Sequence, residues 1–209
     1  MKKRIKLGDL QNYDDDFEVN WSCYYEQIKL LKTLKIKNIL ELGCGRKVVT
    51  NYLRNLGYNL TTLDFDKNLQ PDILGNVSNC ISLLNGRKFD IIIASHIFYY
   101  IPYDNAISVI QELSKHCRYI YIGLLHQSLS FQFTFKIPLF EIKRFNINLP
   151  LFKLKTPNYE WELGNNISYK KFRSSLLDNY EIIIDKRSKI YPRNHIFLLR
   201  SKLSNLDSL

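Results

Sequence analysis

Asn38-Ile39-Leu40-Glu41-Leu42-Gly43-Cys44-Gly45, read together with Asp64, decides how this chain folds. Asn38 to Leu42 reads as a short apolar strand, and Gly43-Cys44-Gly45 as a tight turn. A helical pattern then runs from about Val48 to Leu56, and the next apolar stretch, Asn59 to Leu63, ends on Asp64. Strand, glycine turn, helix and strand closing on an acid make a unit that suits adenosine-containing cofactors. Glycine lets the ligand approach the backbone, and the acid accepts hydrogen bonds from ribose hydroxyls. Two details separate the cofactors. A pyrophosphate-binding turn wants a third glycine where Val48 stands, and Glu41 would repel a diphosphate while suiting an ammonium group.

An acid, one residue, then Gly-x-Gly, with a second acid ending the next strand, resembles the first motifs of class I S-adenosylmethionine-dependent methyltransferases. The resemblance covers residues 36–125 well and 165–200 loosely. It implies an α/β fold: a Rossmann-like, doubly wound, mostly parallel seven-stranded sheet with a C-terminal antiparallel hairpin. It also implies S-adenosyl-L-methionine as methyl donor. Gly43, Cys44 and Gly45 would line its methionine half, Glu41 would pair with its amino group, and Asp64 would hold its ribose. Phe65 is expected on the adenine face or in the core. Asn76 stands where the family usually has an acid reading the adenine amino group, and an amide oxygen accepts that bond too. Many relatives have a third glycine where this chain has Lys47, so the loop either bends differently or turns Lys47 outward.

Residue order supports the same architecture. Residues 20–34 place Trp21, Tyr24, Tyr25, Ile28, Leu31 and Leu34 at helical spacing, so 20–35 is expected to be an N-terminal helix that covers the cofactor or packs the core. Pro71 to Val77 holds a short third strand, and Phe89 to Ala94 a β-branched fourth one ending at Ser95-His96. Residues 104–116 read as a helix and Arg118 to Leu125 as a fifth strand. Alternating strands and helices predict a parallel sheet covered on both faces. The pattern breaks at His126. From there to Gly164 the chain is aromatic and basic, and is expected to form an inserted cap over the acceptor. Residues 168–178 look helical again, and Glu181–Lys186 and His195–Arg200 read as the last two strands of a single 1–209 domain.

Ligands of open α/β sheets lie beyond the carboxyl ends of the strands. Ser95, His96 and His126 fall at that end. Imidazole titrates near neutrality, so either histidine could serve as a catalytic base, with His96 favoured for contact and His126 for acceptor chemistry and with Ser95 expected against the cofactor; the plainer reading is loop histidines bonded to backbone. Tyr99-Tyr100 stands where similar enzymes often carry Glu-His, and Ser95-His96-Ile97-Phe98 is not the Asn/Asp-Pro-Pro-aromatic signature of amide and base methylases.

Composition narrows the partners. The formal charge is +10, yet residues 38–125 carry eight basic and seven acidic side chains, whereas 165–209 carry nine and four. That excess suits an anionic partner or is a solvated basic face. The expected acceptor is a small or sugar-containing metabolite, an anionic one included. RNA is the second candidate, and a non-catalytic cofactor-binding protein the third. Four scattered cysteines and four histidines without metal-binding spacing give no metal site. No apolar run approaches the ~20 residues of a membrane span, so a cytoplasmic protein is expected.

Overall fold

The structure is a computed structural model, described here for residues 17–127, 129–135, 143–149 and 158–203. Helix α1 (Phe17–Leu31) precedes β1 (Asn38–Leu42), α2 (Val48–Asn55), β2 (Asn59–Asp64) and β3 (Ile73–Leu74). Then follow α3 (Cys80–Leu84), β4 (Phe89–Ser95), α4 (Tyr103–Leu113) and β5 (Cys117–Leu125). An inserted pair, β6 (Leu129–Phe135) and β7 (Lys143–Leu149), leads to α5 (Tyr169–Leu176), β8 (Tyr180–Arg187) and β9 (Asn194–Ser201).

The main sheet has seven strands in the order β3-β2-β1-β4-β5-β9-β8. Strands β1 to β5 run parallel and β9 pairs antiparallel with both β5 and β8. The order reverses between β1 and β4, which makes their carboxyl ends the switch point. The α/β, doubly wound sheet with its C-terminal antiparallel pair agrees with the expectation from sequence.

Alternation along the strands builds two cores. Leu40, Leu42, Ile92, Ile120, Ile122 and Phe197 face α3, α4 and α5. Ile39, Ile91, Ile93, Tyr121 and Ile196 face α1 and α2. Burying one such aliphatic side chain stabilises the fold by about 1.5–3 kcal/mol, so the sheet interior is the main source of stability. A β-branched β4 with both faces covered fits this layering.

The structure departs from the sequence reading on the buried face of one helix and adds two elements to it. Helix α1 buries only part of the stripe expected of it: Leu31 is buried and Tyr24, Ile28 and Leu34 pack against the core, but Trp21 and Tyr25 are 48% and 53% exposed, and Cys23, Gln27 and Leu30 turn inward. The aromatic spacing misled because the buried face includes a Gln and a Cys. Helix α3, too short for a periodic signal, was not foreseen. The segment after His126 also contains an antiparallel pair with Phe133 opposite Phe145 and Phe131 opposite Ile147. Its signal was a period of two, with Leu129, Phe131, Phe133 and Phe135 alternating with polar residues. Residues 128, 136–142 and 150–157 of the expected cap lie outside the described residues, as do 1–16 and 204–209.

The exit of this insertion is fastened to the turn after β4. Trp161 is buried and its Nε1 donates to the carbonyls of Phe98 (3.2 Å) and Ile101 (3.1 Å). The Glu160 amide donates to the Tyr99 carbonyl (2.9 Å), and the Tyr99 and Tyr159 rings lie 4.2 Å apart. Trp161→Phe removes the shared donor while keeping an aromatic ring. It should lower unfolding free energy by about 1–3 kcal/mol. A urea midpoint unchanged from the parent protein would show that the bond carries no such weight.

Candidate functional site

The glycine turn is held at the carboxyl ends of β1 and β2 by one carboxylate. Asp64 is buried; its Oδ2 accepts from the Gly45 amide at 3.3 Å and from Cys44 Sγ at 3.8 Å, and its Oδ1 from the Asp66 amide at 3.0 Å. Gly43 donates its amide to the Leu63 carbonyl at 2.8 Å, and a Cβ at this position would stand 2.9 Å from Ile97. With φ at +72°, only glycine fits here without strain. Cys44 is buried, and burial first, then the neighbouring Asp64, pushes its thiol up to about 12. It is therefore a packing residue and not a nucleophile.

Lys47 resolves the question raised by the missing third glycine. It adopts the left-handed conformation, φ 58° and ψ 27°, so the loop bends as a glycine there would let it bend. Its Nζ donates to the Gln70 carbonyl at 2.5 Å, which commits the side chain to the turn beyond β2. The left-handed backbone costs roughly 1–2 kcal/mol for a residue with a Cβ, which this hydrogen bond and the α2 packing offset.

Glu41 lies beneath the turn, on the α2 side of β1. It is buried, and Thr50 Oγ1 donates to its Oε2. Burial is the main cause that raises its carboxyl to about 7, with the Thr50 bond and Arg54 acting in the opposite sense. A second acid, Asp64, adds to the rise. Glu41 is thus an acid poised to be ionised by an approaching cation.

Phe65 immediately follows Asp64 and is 56% exposed, which excludes the core reading. Asn76 is exposed at the end of β3, and its Oδ1 accepts from the Ser78 amide at 2.9 Å to cap a 3₁₀ turn. Its second lone pair remains available. The structure thus brings Glu41, Gly43, Cys44, Gly45, Asp64, Phe65 and Asn76 to neighbouring strand ends, with Lys47 turned away from them.

On the other side of the switch point, Ser95 closes β4 and His96 follows it in a left-handed conformation, φ 58°. Such backbone in a residue with a Cβ marks a constrained turn. The His96 amide donates to the Gly123 carbonyl at 2.9 Å, so this turn is fixed to β5. Burial lowers the imidazole to about 4, which the nearby Asn194 partly offsets, and His96 is neutral near pH 7.

His126 sits just beyond β5, and its Nδ1 lies 2.9 Å from Nδ1 of His195, at the start of β9. His195 Nε2 lies 2.8 Å from Asp185 Oδ1 on β8. Burial chiefly lowers His126 to about 3, with Arg187 and His195 adding to the fall and Asp185 opposing it. Burial likewise lowers His195. For Asp185, burial opposes ionisation, but hydrogen bonds from Tyr169, His195 and Arg173 outweigh it and hold the carboxyl low. His195 and Asp185 went unrecognised as site residues in the sequence. They lie far from His126 along the chain, and only the antiparallel register of β5, β9 and β8 aligns them.

Among the described residues no group of three or more His, Cys, Asp and Glu side chains is placed to hold a metal ion, and no helix is long and apolar enough to cross a membrane. No family model and no curated protein matches this sequence. Solved structures do. A TehB-like S-adenosylmethionine-dependent methyltransferase from Corynebacterium glutamicum superposes with a TM-score of 0.60 at 13% identity, over 94% of this chain and 100% of that one. The glycopeptide N-methyltransferase MtfA, complexed with S-adenosyl-L-homocysteine, gives 0.58 at 11% identity, over 86% and 89% of the two chains. An S-adenosylmethionine-dependent methyltransferase from Clostridium acetobutylicum gives 0.56 at 15%, over 87% and 90%. At these identities the likeness concerns architecture: this chain has the fold of the S-adenosylmethionine-dependent methyltransferases.

Proposed function

We propose that this chain is a methyltransferase using S-adenosyl-L-methionine and acting on a small-molecule or sugar-containing metabolite. The observation that carries the reading is the junction of Asp64 with the Gly43–Gly45 turn, with the buried carboxyl of Glu41 beneath it. The groups present fit such a donor. Glu41 offers a buried carboxyl to an ammonium, and the turn offers backbone without side-chain bulk. Asp64 already accepts three donors on about four lone-pair sites. Its weakest contact, the Cys44 thiol at 3.8 Å, is the one a ribose hydroxyl would displace. Phe65 presents an uncovered ring for the adenine, and Asn76 an amide oxygen for its amino group.

The donor supplies an electrophilic methyl group on a sulfonium. The chain has to align an acceptor with it, exclude water and remove a proton where the acceptor carries one. Ser95 and His96 end β4 beside the glycine turn and are assigned to donor and acceptor contact. His126 is assigned as general base: it is neutral at pH 7 and has a lone pair to offer, but burial lowers it to about 3, so it is a weaker base than the imidazole titrating near neutrality that the sequence suggests. The 126–164 segment, fastened at its exit to the turn after β4, is assigned as the acceptor's cap.

Labelled S-adenosylmethionine incubated with the protein, a small-molecule extract and total RNA tests the assignment. Label should pass into the low-mass fraction, and His126→Ala should slow that transfer by about 10²–10⁴-fold while donor binding is retained. Label in RNA alone would replace the acceptor class, and bound donor without transfer to either would remove catalysis.

Donor binding should also depend on pH. Glu41 has a folded value near 7, raised from 4.5, so at pH 6 most molecules must lose its proton before pairing with an ammonium. Binding of S-adenosylhomocysteine should therefore release a proton and tighten about tenfold from pH 6 to pH 8. Glu41→Gln should bind more weakly and show a flat profile. Equal pH dependence in both proteins would detach Glu41 from the donor.

A further inference from the structure

His126, His195 and Asp185 are connected by two hydrogen bonds whose proton positions follow from chemistry. Asp185 is ionised, so the 2.8 Å contact with His195 Nε2 requires the proton on that nitrogen. A neutral His195 then has a bare lone pair on Nδ1. Across 2.9 Å, Nδ1 of His126 has to supply the hydrogen. That leaves Nε2 of His126 as a bare acceptor. Gly164 packs beside this edge and, lacking a Cβ, leaves room at it: a Cβ there would stand 3.2 Å from Nε2 and 2.9 Å from Cδ2.

The surroundings decide where a positive charge can rest. His126 is stacked on Tyr169 of α5 and is disfavoured as a cation by Arg187 of β8. His195 is buried between Tyr169 and Phe197 and donates to Asp185. The other oxygen of Asp185 accepts from Tyr169 Oη at 2.6 Å and Arg173 Nε at 3.1 Å, so α5 fixes the carboxylate in place. The remaining charges nearby are engaged elsewhere. Arg193 donates to Gln127, and Glu162 accepts from Gln127 and Asn165.

We propose that His126, His195 and Asp185 form a proton relay that carries the acceptor's proton away from the site of methyl transfer. The relay rests on the assignment of His126 as base. As the acceptor's O–H or N–H bond breaks, an N–H bond forms at His126 Nε2. The Nδ1–H bond of His126 breaks and its proton passes to His195 Nδ1. His195 keeps its Nε2–H on Asp185 and becomes the cation, so one proton enters, none is lost and no electron is transferred. Loss of the proton from His126 Nε2 to water resets the path in reverse order. His126 is the group that touches substrate; His195 and Asp185 position it and hold the charge.

Nitrogen-15 NMR of histidine-labelled full-length protein tests the relay with neither donor nor acceptor present. Its failure is thus distinct from failure of the methyltransferase reading, which S-adenosylhomocysteine binding reports separately. At pH 7, His126 should be protonated on Nδ1 and bare on Nε2, and His195 protonated on Nε2 only. On acidification His126 should switch to Nε2–H while His195 becomes doubly protonated. Asp185→Asn keeps shape and should move this switch at least tenfold higher in proton concentration, because the cation loses its counter-charge. A His126 protonated on Nε2 at pH 7, a His126 that becomes the doubly protonated ring, or an Asp185→Asn switch at unchanged pH would each overturn the relay.

Discussion

The Asp64 carboxylate is the constraint on which the rest of the site depends. It ends β2, yet two of its partners, the Gly45 amide and the Cys44 thiol, belong to the turn after β1. One side chain thereby sets the shape of the loop and ties the neighbouring ends of β1 and β2 together, beside the point where the strand order reverses between β1 and β4. The two contacts that reach the turn are long, at 3.3 Å and 3.8 Å, while the Asp66 amide at 3.0 Å anchors the buried carboxylate from its own strand end. The same carboxylate also bears on Glu41, adding to the forces that keep that acid partly protonated.

The loop's second requirement is met by strain. Lys47 takes the left-handed backbone that glycine would take freely, and its ammonium is drawn across to the Gln70 carbonyl. A residue that looked like an obstacle in the sequence therefore preserves the bend and clears the turn. His96 repeats the pattern on the far side of the switch point, where a left-handed residue fastened to Gly123 ends β4. Both constrained residues flank the position to which the donor is assigned. Sites often hold such strain because the surrounding fold over-determines it.

Much of this was legible in the residues. The β-branched run at 89–94, the glycine turn and the acid at 64 carry their own local signals, and the strands form where those signals lie. What stayed hidden depends on register and packing. The buried face of α1 follows from which side of the sheet it covers, and Gln27 and Cys23 give no hydrophobic cue for it. The β6–β7 pair had a readable period of two, masked by the aromatic and basic character of the segment. His195 and Asp185 join His126 only once β9 lies between β5 and β8, with Leu124 opposite His195 and Asp185 opposite Phe197. Long-range pairing of this kind has no signature in the local sequence.

Titration calorimetry of S-adenosylhomocysteine against the parent protein and Asp64→Ala is the most direct test of the central claim, that the glycine turn and Asp64 form a donor site. The parent should bind with a one-to-one stoichiometry. The variant should lose at least about tenfold in affinity, equivalent to ~1.4 kcal/mol, through unpaired ribose hydroxyls and a loosened turn. Equal affinity in the two proteins, or no binding by a folded parent, would contradict the account.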